Sequence, residues 1–160
     1  MKENYESYLD TIVNDTNFSG VISIKQQGEL MYEKAFGYAE RANKRPSNIN
    51  TKFAIASGTK FFTALAIGKL IDEDKLSLDS KALDYVDFDF PTYNKDITIR
   101  DLLTHTSGMP DYFDEDEIED FDNFQVGKPW YNMFDPSDYY DVFPQKDMRA
   151  KPGETFVYNN

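Results

Sequence analysis

The sequence contains no cysteine and only one histidine, His105, and these two shortages exclude several kinds of site. Without cysteine there can be no disulfide framework, no thiolate zinc site and no cysteine nucleophile. A single histidine excludes a metal centre built from several histidines of one chain. We therefore predict no metal and no cofactor, so any covalent catalysis must use a different nucleophile.

Long hydrophobic runs are absent as well. The longest apolar run, residues 61–68 with one Thr inside it, is far shorter than the ~20 residues of a membrane-spanning helix. The N-terminal stretch MKENYESYLD has no hydrophobic segment typical of a signal peptide. We therefore predict no membrane span, and a protein that is either cytoplasmic or exported with its signal removed.

Positive charge is scarce: 17 Lys and Arg stand against 29 Asp and Glu, giving a net charge of −12. This balance argues against nucleic acid and anionic membranes as partners, because both require a basic surface. What the chain does have is 160 residues that are 40% hydrophobic and 16% aromatic, enough for a packed core in one domain. Eight of the twelve residues 111–122 are acidic, which predicts a solvated loop.

The first third of the chain predicts a helix followed by a hairpin. A helical stripe of apolar residues runs through 3–15, and it includes Leu9, Ile12 and Val13. Two stretches rich in β-branched or alternating apolar residues, 18–25 and 30–36, flank a glycine-containing turn. The polar stretch from Glu40 to Asn50 is expected to be a loop.

Two further helices are expected in residues 51–160. The helix from about Gly58 to Asp72 is apolar on nearly every face, which predicts that it is buried. A second helix should begin at Thr98, with Asp101 completing a capping box, and should end at Gly108. Residues 123–150 are expected to pack through their aromatic side chains in short helices.

The buried helix opens with Ser57-Gly58-Thr59-Lys60, a Ser-x-x-Lys pattern that occurs at only one of the nine serines. Residues three apart share one side of a helix, so both side chains should lie close together. Ser57 alone could simply be the N-cap. Lys60 is less easily explained by structure, because a cation at a helix N-terminus opposes the dipole. Desolvation by its apolar neighbours would favour the neutral amine, which could activate a serine hydroxyl.

Three segments, taken in order, resemble the serine β-lactamase and penicillin-binding protein superfamily, and most closely its class C-like branch. They are FAIASGTKFFTALAIGKLIDEDKLSLD, ITIRDLLTHTSGMPDY and KPGETFVYNN. The resemblance implies that Ser57 is the nucleophile and Lys60 its general base. It also implies a Tyr-x-Asn motif at Tyr158 and Asn160, in which Tyr158 transfers protons and Asn160 orients the substrate amide and the lysine.

The fold that the resemblance implies is α+β, an antiparallel sheet layer with flanking helices plus a helical region. Residues 1–50 would supply the helix and hairpin of the sheet layer, and residues 51–160 the helical region with both motifs. The family's third motif, Lys/His-Thr/Ser-Gly, should follow Tyr-x-Asn and is not found before Asn160. His105-Thr106-Ser107-Gly108 is no substitute, because it precedes Tyr158, and we interpret His105 as structural, satisfying carbonyls near a helix end.

These observations predict the N-terminal portion of one β-lactamase-like domain, with its C-terminal portion missing. The expected activity is acyl transfer through an acyl-enzyme at Ser57, weakened in this chain, on a small acyl or amide substrate or a β-lactam. Either Lys60 or Tyr158 could be the base. A non-hydrolysing penicillin-binding protein is one alternative. A non-enzymatic fragment that self-associates or binds a complementing C-terminal portion is the other, since a lone two-stranded ribbon leaves open edges.

Overall fold

A computed structural model shows an α+β chain in which helices accompany two small antiparallel sheets. It describes residues 2–115 and 117–160, and among these all side chains except those of residues 2–6 and 130. The chain divides into two compact units, residues 1–55 and 56–160. That the two belong to one β-lactamase-like domain stays a prediction.

The first unit contains the predicted helix, α1 (Lys2–Thr16), and the predicted hairpin, β1 (Gly20–Gln26) and β2 (Glu29–Phe36). The turn between the strands is two residues long, shorter than expected. Both turn residues have positive φ, 51° at Gln27 and 84° at Gly28, and this backbone matches the right-handed twist of the strands. Local turn geometry therefore sets the register of the hairpin.

Two further strands in this unit, β3 (Tyr38–Glu40) and β4 (Arg45–Pro46), pair antiparallel where the sequence suggested only a loop. The prediction was wrong there because such short strands carry too few residues to show an alternating pattern. Helix α1 contacts β2 through an ion pair of 2.8 Å between Asp10 and Lys34.

The first α-helix of the second unit is α2 (Thr59–Asp72), and the burial expected for this helix is not observed. Phe61, Phe62 and Leu65 are 63%, 58% and 55% exposed. Ile67 does pack against the core of the unit. The prediction of burial was wrong in this chain because an all-apolar pattern shows which side chains avoid water but not what covers them.

The core of the second unit is built on Ala82, Ile97 and Ile99, and Ile97 is fully buried. Backbone hydrogen bonds of 2.9 Å from Ala82 to Ile97 and 3.0 Å from Ile99 to Ser80 fasten its two chain segments together. Helix α3 (Ile99–Leu103) starts at this core with the capping box that was predicted at Thr98. It ends well before Gly108, so the helix is shorter than expected.

The aromatic segment after residue 123 contains short 3-10 turns at Trp130–Asn132 and Pro136–Val142, as expected. The rings of Tyr140 and Phe143 pack edge-on against Phe90, with centroids 5.9 and 5.5 Å away. The side chain of Trp130 lies outside the described residues. Within the described chain, no helix combines the length and apolar character needed to cross a bilayer.

Candidate active site

Ser57 lies in a 3-10 turn, Ala56–Gly58, that runs directly into α2. The N-cap of α2 is Gly58, which has helical φ and ψ and provides no side-chain cap. Ser57 is therefore not the N-cap, and its hydroxyl is not used to close the start of the helix. Its side chain is exposed.

The residue before Ser57 has an unusual backbone. Ala56 has a φ of 43°, in the left-handed region that non-glycine residues seldom adopt. Such a conformation costs on the order of 1 kcal/mol or more for a residue with a Cβ. This strained turn brings Ser57 to the start of α2 without a capping role.

Two polar side chains converge on the hydroxyl of Ser57. Tyr158 donates a hydrogen bond to Ser57 Oγ at 2.7 Å, although 101 residues separate the two. Lys60 Nζ donates to the same oxygen at 3.4 Å and lies 5.0 Å from the centre of the Tyr158 ring. The structure thus brings three of the four predicted site residues together, while their catalytic roles stay predictions.

The contacts around Tyr158 change its acidity. Hydrogen bonds with Ser57 and Lys60 lower the pKa of the Tyr158 phenol, and the charge of Lys60 adds to this effect. Partial burial and the nearby carboxylate of Glu115 oppose it but do not cancel it. The phenolate, the form of tyrosine that can accept a proton from a serine, is therefore easier to form than in free tyrosine.

Asn160, the fourth predicted residue, is held by the segment that follows Pro110. Its side-chain amide donates to Asp111 Oδ2 at 3.1 Å and to the Phe113 carbonyl at 3.0 Å. Its backbone N–H donates to the same Asp111 oxygen at 2.7 Å. In the described part of the chain no hydrogen bond joins Asn160 to Lys60, so the expected contact between these two residues is not observed.

Two residues beside the site were not recognised in the sequence as contributing to it. The acidic composition predicts a solvated loop around Asp111, but Asp111 is buried and fixes Asn160. His105 was expected to satisfy carbonyls near a helix end. Its Nδ1 instead accepts a hydrogen bond from the Asn159 backbone at 3.2 Å, and its ring stacks on Tyr158 with centroids 4.7 Å apart. A histidine where a helix end usually has glycine was the one available signal.

The acidic segment also borders an open cleft of about 520 Å³. Its lining residues come from the stretch 111–124 and from the end of the aromatic segment, and they include Asp111, Tyr112, Glu117, Phe124, Val142 and Lys146. Neither Ser57 nor Tyr158 lines it, so this cleft is not where the hydroxyl is presented. Among the residues described, no group of three acidic or histidine side chains is arranged to hold a metal ion.

Comparisons with known proteins identify the family of this chain. A family model described as Beta-lactamase matches residues 6–160. Penicillin-binding protein 4* of Bacillus subtilis is 38% identical over 117 residues, which are 70% of this chain and 25% of that protein. The penicillin-binding protein structure from Bacillus halodurans is 39% identical with a TM-score of 0.75, over 94% of this chain and 44% of that one.

A third relative, the octameric penicillin-binding protein homologue from Pyrococcus abyssi, is 32% identical with a TM-score of 0.67. That match covers 98% of this chain and 35% of the homologue. The chain therefore spans less than half the length of each of these relatives. The α+β class and the resemblance stated from the sequence are both confirmed.

Proposed function

The chain belongs to the Beta-lactamase family, and on that premise we propose that Ser57 is the nucleophile of a serine hydrolase that works through an acyl-enzyme. One observation carries the proposal: Ser57 Oγ receives hydrogen bonds from both Tyr158 and Lys60 instead of capping its helix. A serine joined to a tyrosine of lowered pKa, beside a lysine whose positive charge stabilises the phenolate, has what nucleophilic catalysis requires.

In the acylation step, the Tyr158 phenolate takes the proton of Ser57 as Oγ attacks the carbonyl carbon of the substrate. We assign the base to Tyr158 rather than Lys60 because its oxygen is the closer, at 2.7 Å against 3.4 Å. Lys60 keeps the phenolate stable through its charge. When the tetrahedral intermediate collapses, the bond to the leaving group breaks and Tyr158 returns the proton to it.

The oxyanion of that intermediate needs hydrogen-bond donors. The N-terminus of α2 has no side-chain cap and no acidic residue in its first turn, so its positive end is left for a developing negative charge. Deacylation uses water: Tyr158 takes a proton from the water, and the water oxygen attacks the ester carbonyl. The bond from the carbonyl carbon to Ser57 Oγ then breaks, the acid is released, and Tyr158 returns the proton to Oγ.

The substrate class follows from the relatives. Two of the three are penicillin-binding proteins by name and the third is a homologue of one, so we propose a β-lactam or another small acyl or amide compound. Asn160, held by Asp111, would orient the substrate amide.

The test uses the full chain with a fluorescent penicillin and, separately, a fluorophosphonate. Intact mass spectrometry should show one covalent adduct that is absent from Ser57→Ala. Ser23→Ala is the matched control, because Ser23 is an exposed serine of β1, and it should label like the unmodified chain. An adduct that persists in Ser57→Ala, or equal labelling of a denatured sample, overturns the proposal.

The same experiment separates the two alternatives. A stable penicillin adduct without release of product favours a penicillin-binding protein that does not hydrolyse its ligand. No adduct, together with a concentration-dependent increase in mass by light scattering, favours a self-associating fragment. The exposed apolar face of α2 is the observation that supports this second alternative.

A further inference from the structure

Helix α3 ends in a turn that is normally made by glycine. The Thr106 N–H donates to the Asp101 carbonyl at 2.8 Å and the His105 N–H donates to the Leu102 carbonyl at 3.3 Å. This pair of bonds is the Schellman motif, and His105 occupies its left-handed position with a φ of 55°. Histidine adopts this conformation less readily than glycine, so helix termination alone does not explain why a histidine is there.

The contacts of His105 explain its presence better. Its carbonyl accepts the Val157 N–H at 2.8 Å, and its Nδ1 accepts the Asn159 N–H at 3.2 Å. Between these two bonds its ring stacks on Tyr158 with an interplanar angle of 27°. His105 thus fixes three consecutive residues: Val157, Tyr158 and Asn159. Because its Nδ1 accepts a hydrogen bond, its imidazole is in the tautomer with the proton on Nε2.

Tyr158 needs such support because its side chain is 41% exposed. An exposed tyrosine would sample several side-chain conformations, and the one in the structure puts the phenol oxygen 2.7 Å from Ser57. The stacked imidazole restrains the ring, and the Nδ1 hydrogen bond restrains the backbone that carries it. Proximity to a nucleophile is effective only when the geometry is held in this way.

We propose that His105 is a positioning residue that holds the Tyr158 phenol against Ser57. The proposal rests on the function proposed above for Ser57 and Tyr158. His105 does not touch the reacting hydroxyl, and it acts through Tyr158 and Asn159. It also connects the end of α3 to the site, so a helix terminus serves as part of the catalytic framework.

The chain offers a matched control at the end of α2. Asp74 also has a φ of 55°, and its N–H donates to the Ile71 carbonyl at 3.0 Å while the Lys75 N–H donates to Leu70 at 2.9 Å. This is the same Schellman motif with a non-glycine residue in the same position. Asp74→Gly therefore reproduces the backbone change of His105→Gly at a helix end that has no contact with Tyr158.

The experiment compares His105→Gly, His105→Asn and Asp74→Gly in the full chain. We expect His105→Gly to slow labelling of Ser57 by the fluorophosphonate about 10–100-fold, since loss of orientation alone has effects of this size. His105→Asn keeps an acceptor near the Nδ1 position and tolerates a positive φ, so it should recover part of the rate. Asp74→Gly should label at the unmodified rate.

A second readout does not depend on acylation. The phenol titration of Tyr158, followed by ¹³C NMR and assigned with Tyr158→Phe, should move to higher pH in His105→Gly because the bonds to Ser57 and Lys60 loosen. The charged groups that act on this phenol, Lys60 and Glu115, are unchanged in that variant. Asp74→Gly should leave the titration where it is.

The outcomes separate the two proposals. If the unmodified chain forms no adduct at Ser57 but the Tyr158 titration moves in His105→Gly alone, His105 positions the tyrosine and the proposed hydrolase activity is wrong. If His105→Gly labels no more slowly than Asp74→Gly and the titration of Tyr158 is unmoved, His105 only terminates the helix and the positioning role is overturned.

Discussion

Helices α2 and α3 begin in opposite ways, although both belong to the second unit. Thr98 caps α3 from an extended backbone, and its N–H and hydroxyl donate to Asp101 Oδ2 at 2.9 and 2.6 Å. The start of α2 has no such bonds, because Gly58 is already helical and has no side chain. Thr98 and Asp101 therefore stabilise the start of α3. At the start of α2, Ser57 and Lys60 are not used in a cap and can interact with each other.

As a consequence, the start of α3 contributes to stability, whereas the start of α2 is suited to reactivity. At α3, burial acts to raise the pKa of Asp101, but hydrogen bonds from Thr98 and Thr106 outweigh it and hold the pKa below its usual value. At α2, the hydrogen bonds lower the pKa of the Tyr158 phenol next to a serine. Hydrogen bonds thus lower the pKa of an acidic group at both helices. At α3 this stabilises a helix cap, and at α2 it supports the proposed nucleophile.

Removing the phenol oxygen should separate these two roles most clearly. We expect Tyr158→Phe to slow acylation of Ser57 by about 10²–10⁴-fold, the usual contribution of a positioned proton-transfer group. The aromatic ring can still stack on His105, so the midpoint of thermal unfolding should stay near that of the unmodified chain. Labelling followed over time by intact mass provides the rate, and a rate within twofold of the unmodified chain contradicts the role of Tyr158.

Neutralising Lys60 should have a smaller effect, and a pH-dependent one. Lys60 contributes to the low pKa of Tyr158, so Lys60→Met should raise that pKa and reduce the phenolate present near neutral pH. Acylation should then slow by about 10–100-fold at pH 7 and recover as the pH is increased. A pH–rate profile measures this. Lys69→Met, at an exposed lysine of the same helix, is the control and should leave the profile unchanged.

How much of this site could be read from the sequence depends on the range of each contact. The hairpin turn, the capping box and the closeness of Ser57 to Lys60 involve residues two to four apart, and local patterns predict them. The contact of Tyr158 with Ser57 spans 101 residues and came only from the resemblance to a family. No periodicity could have suggested it.

Asp111 and His105 are further examples of contacts that local sequence patterns do not predict. Their partners, Asn160 and Asn159, lie 49 and 54 residues away, and the acidic composition around Asp111 indicated a solvated loop. The sequence does not show which of the eight acidic residues in 111–122 is the buried one. The exposure of α2 was missed for a related reason, because an apolar pattern does not specify which neighbours cover it.

In the comparison of the two helix starts, the cap of α3 is the one expected to affect stability. Asp101→Ala should lower the free energy of unfolding by about 1–2 kcal/mol, as loss of a helix cap does. Because the pKa of Asp101 is lowered in the folded state, its contribution is fully present above the ordinary aspartate pKa and is lost as the pH falls from there through the lower folded-state pKa. Urea titrations at several pH values measure this.

Two control variants test the interpretation of the Asp101→Ala result. Asp79→Ala removes a carboxylate whose ion pair with Arg100 is exposed, so it should change the free energy of unfolding by less than about 0.5 kcal/mol. Asp101→Asn keeps the shape of the side chain and should lose the pH dependence. An equal loss in Asp79→Ala and Asp101→Ala would show that the capping box does not stabilise this unit.

The smallest expected effect comes from the strained residue before the nucleophile. Ala56→Gly should relieve the positive φ of 43°, but glycine also increases the entropy of the unfolded chain. The two effects partly cancel, so the free energy of unfolding should rise by no more than about 1 kcal/mol. Gly108→Ala is the opposite test, since its φ is 70° and a Cβ there would collide with the Ala150 carbonyl.

If strain at Ala56 serves mainly to present Ser57, relieving it should make the chain slightly more stable and slower to acylate. That pairing is expected if the turn holds Ser57 in a reactive position, because the relief of strain that stabilises the chain also lets Ser57 move away from Tyr158. Urea titration and the labelling rate, measured on one preparation, test both halves. Greater stability with an unchanged rate would mean that the contacts of Tyr158 and Lys60 alone are enough to hold the hydroxyl in place.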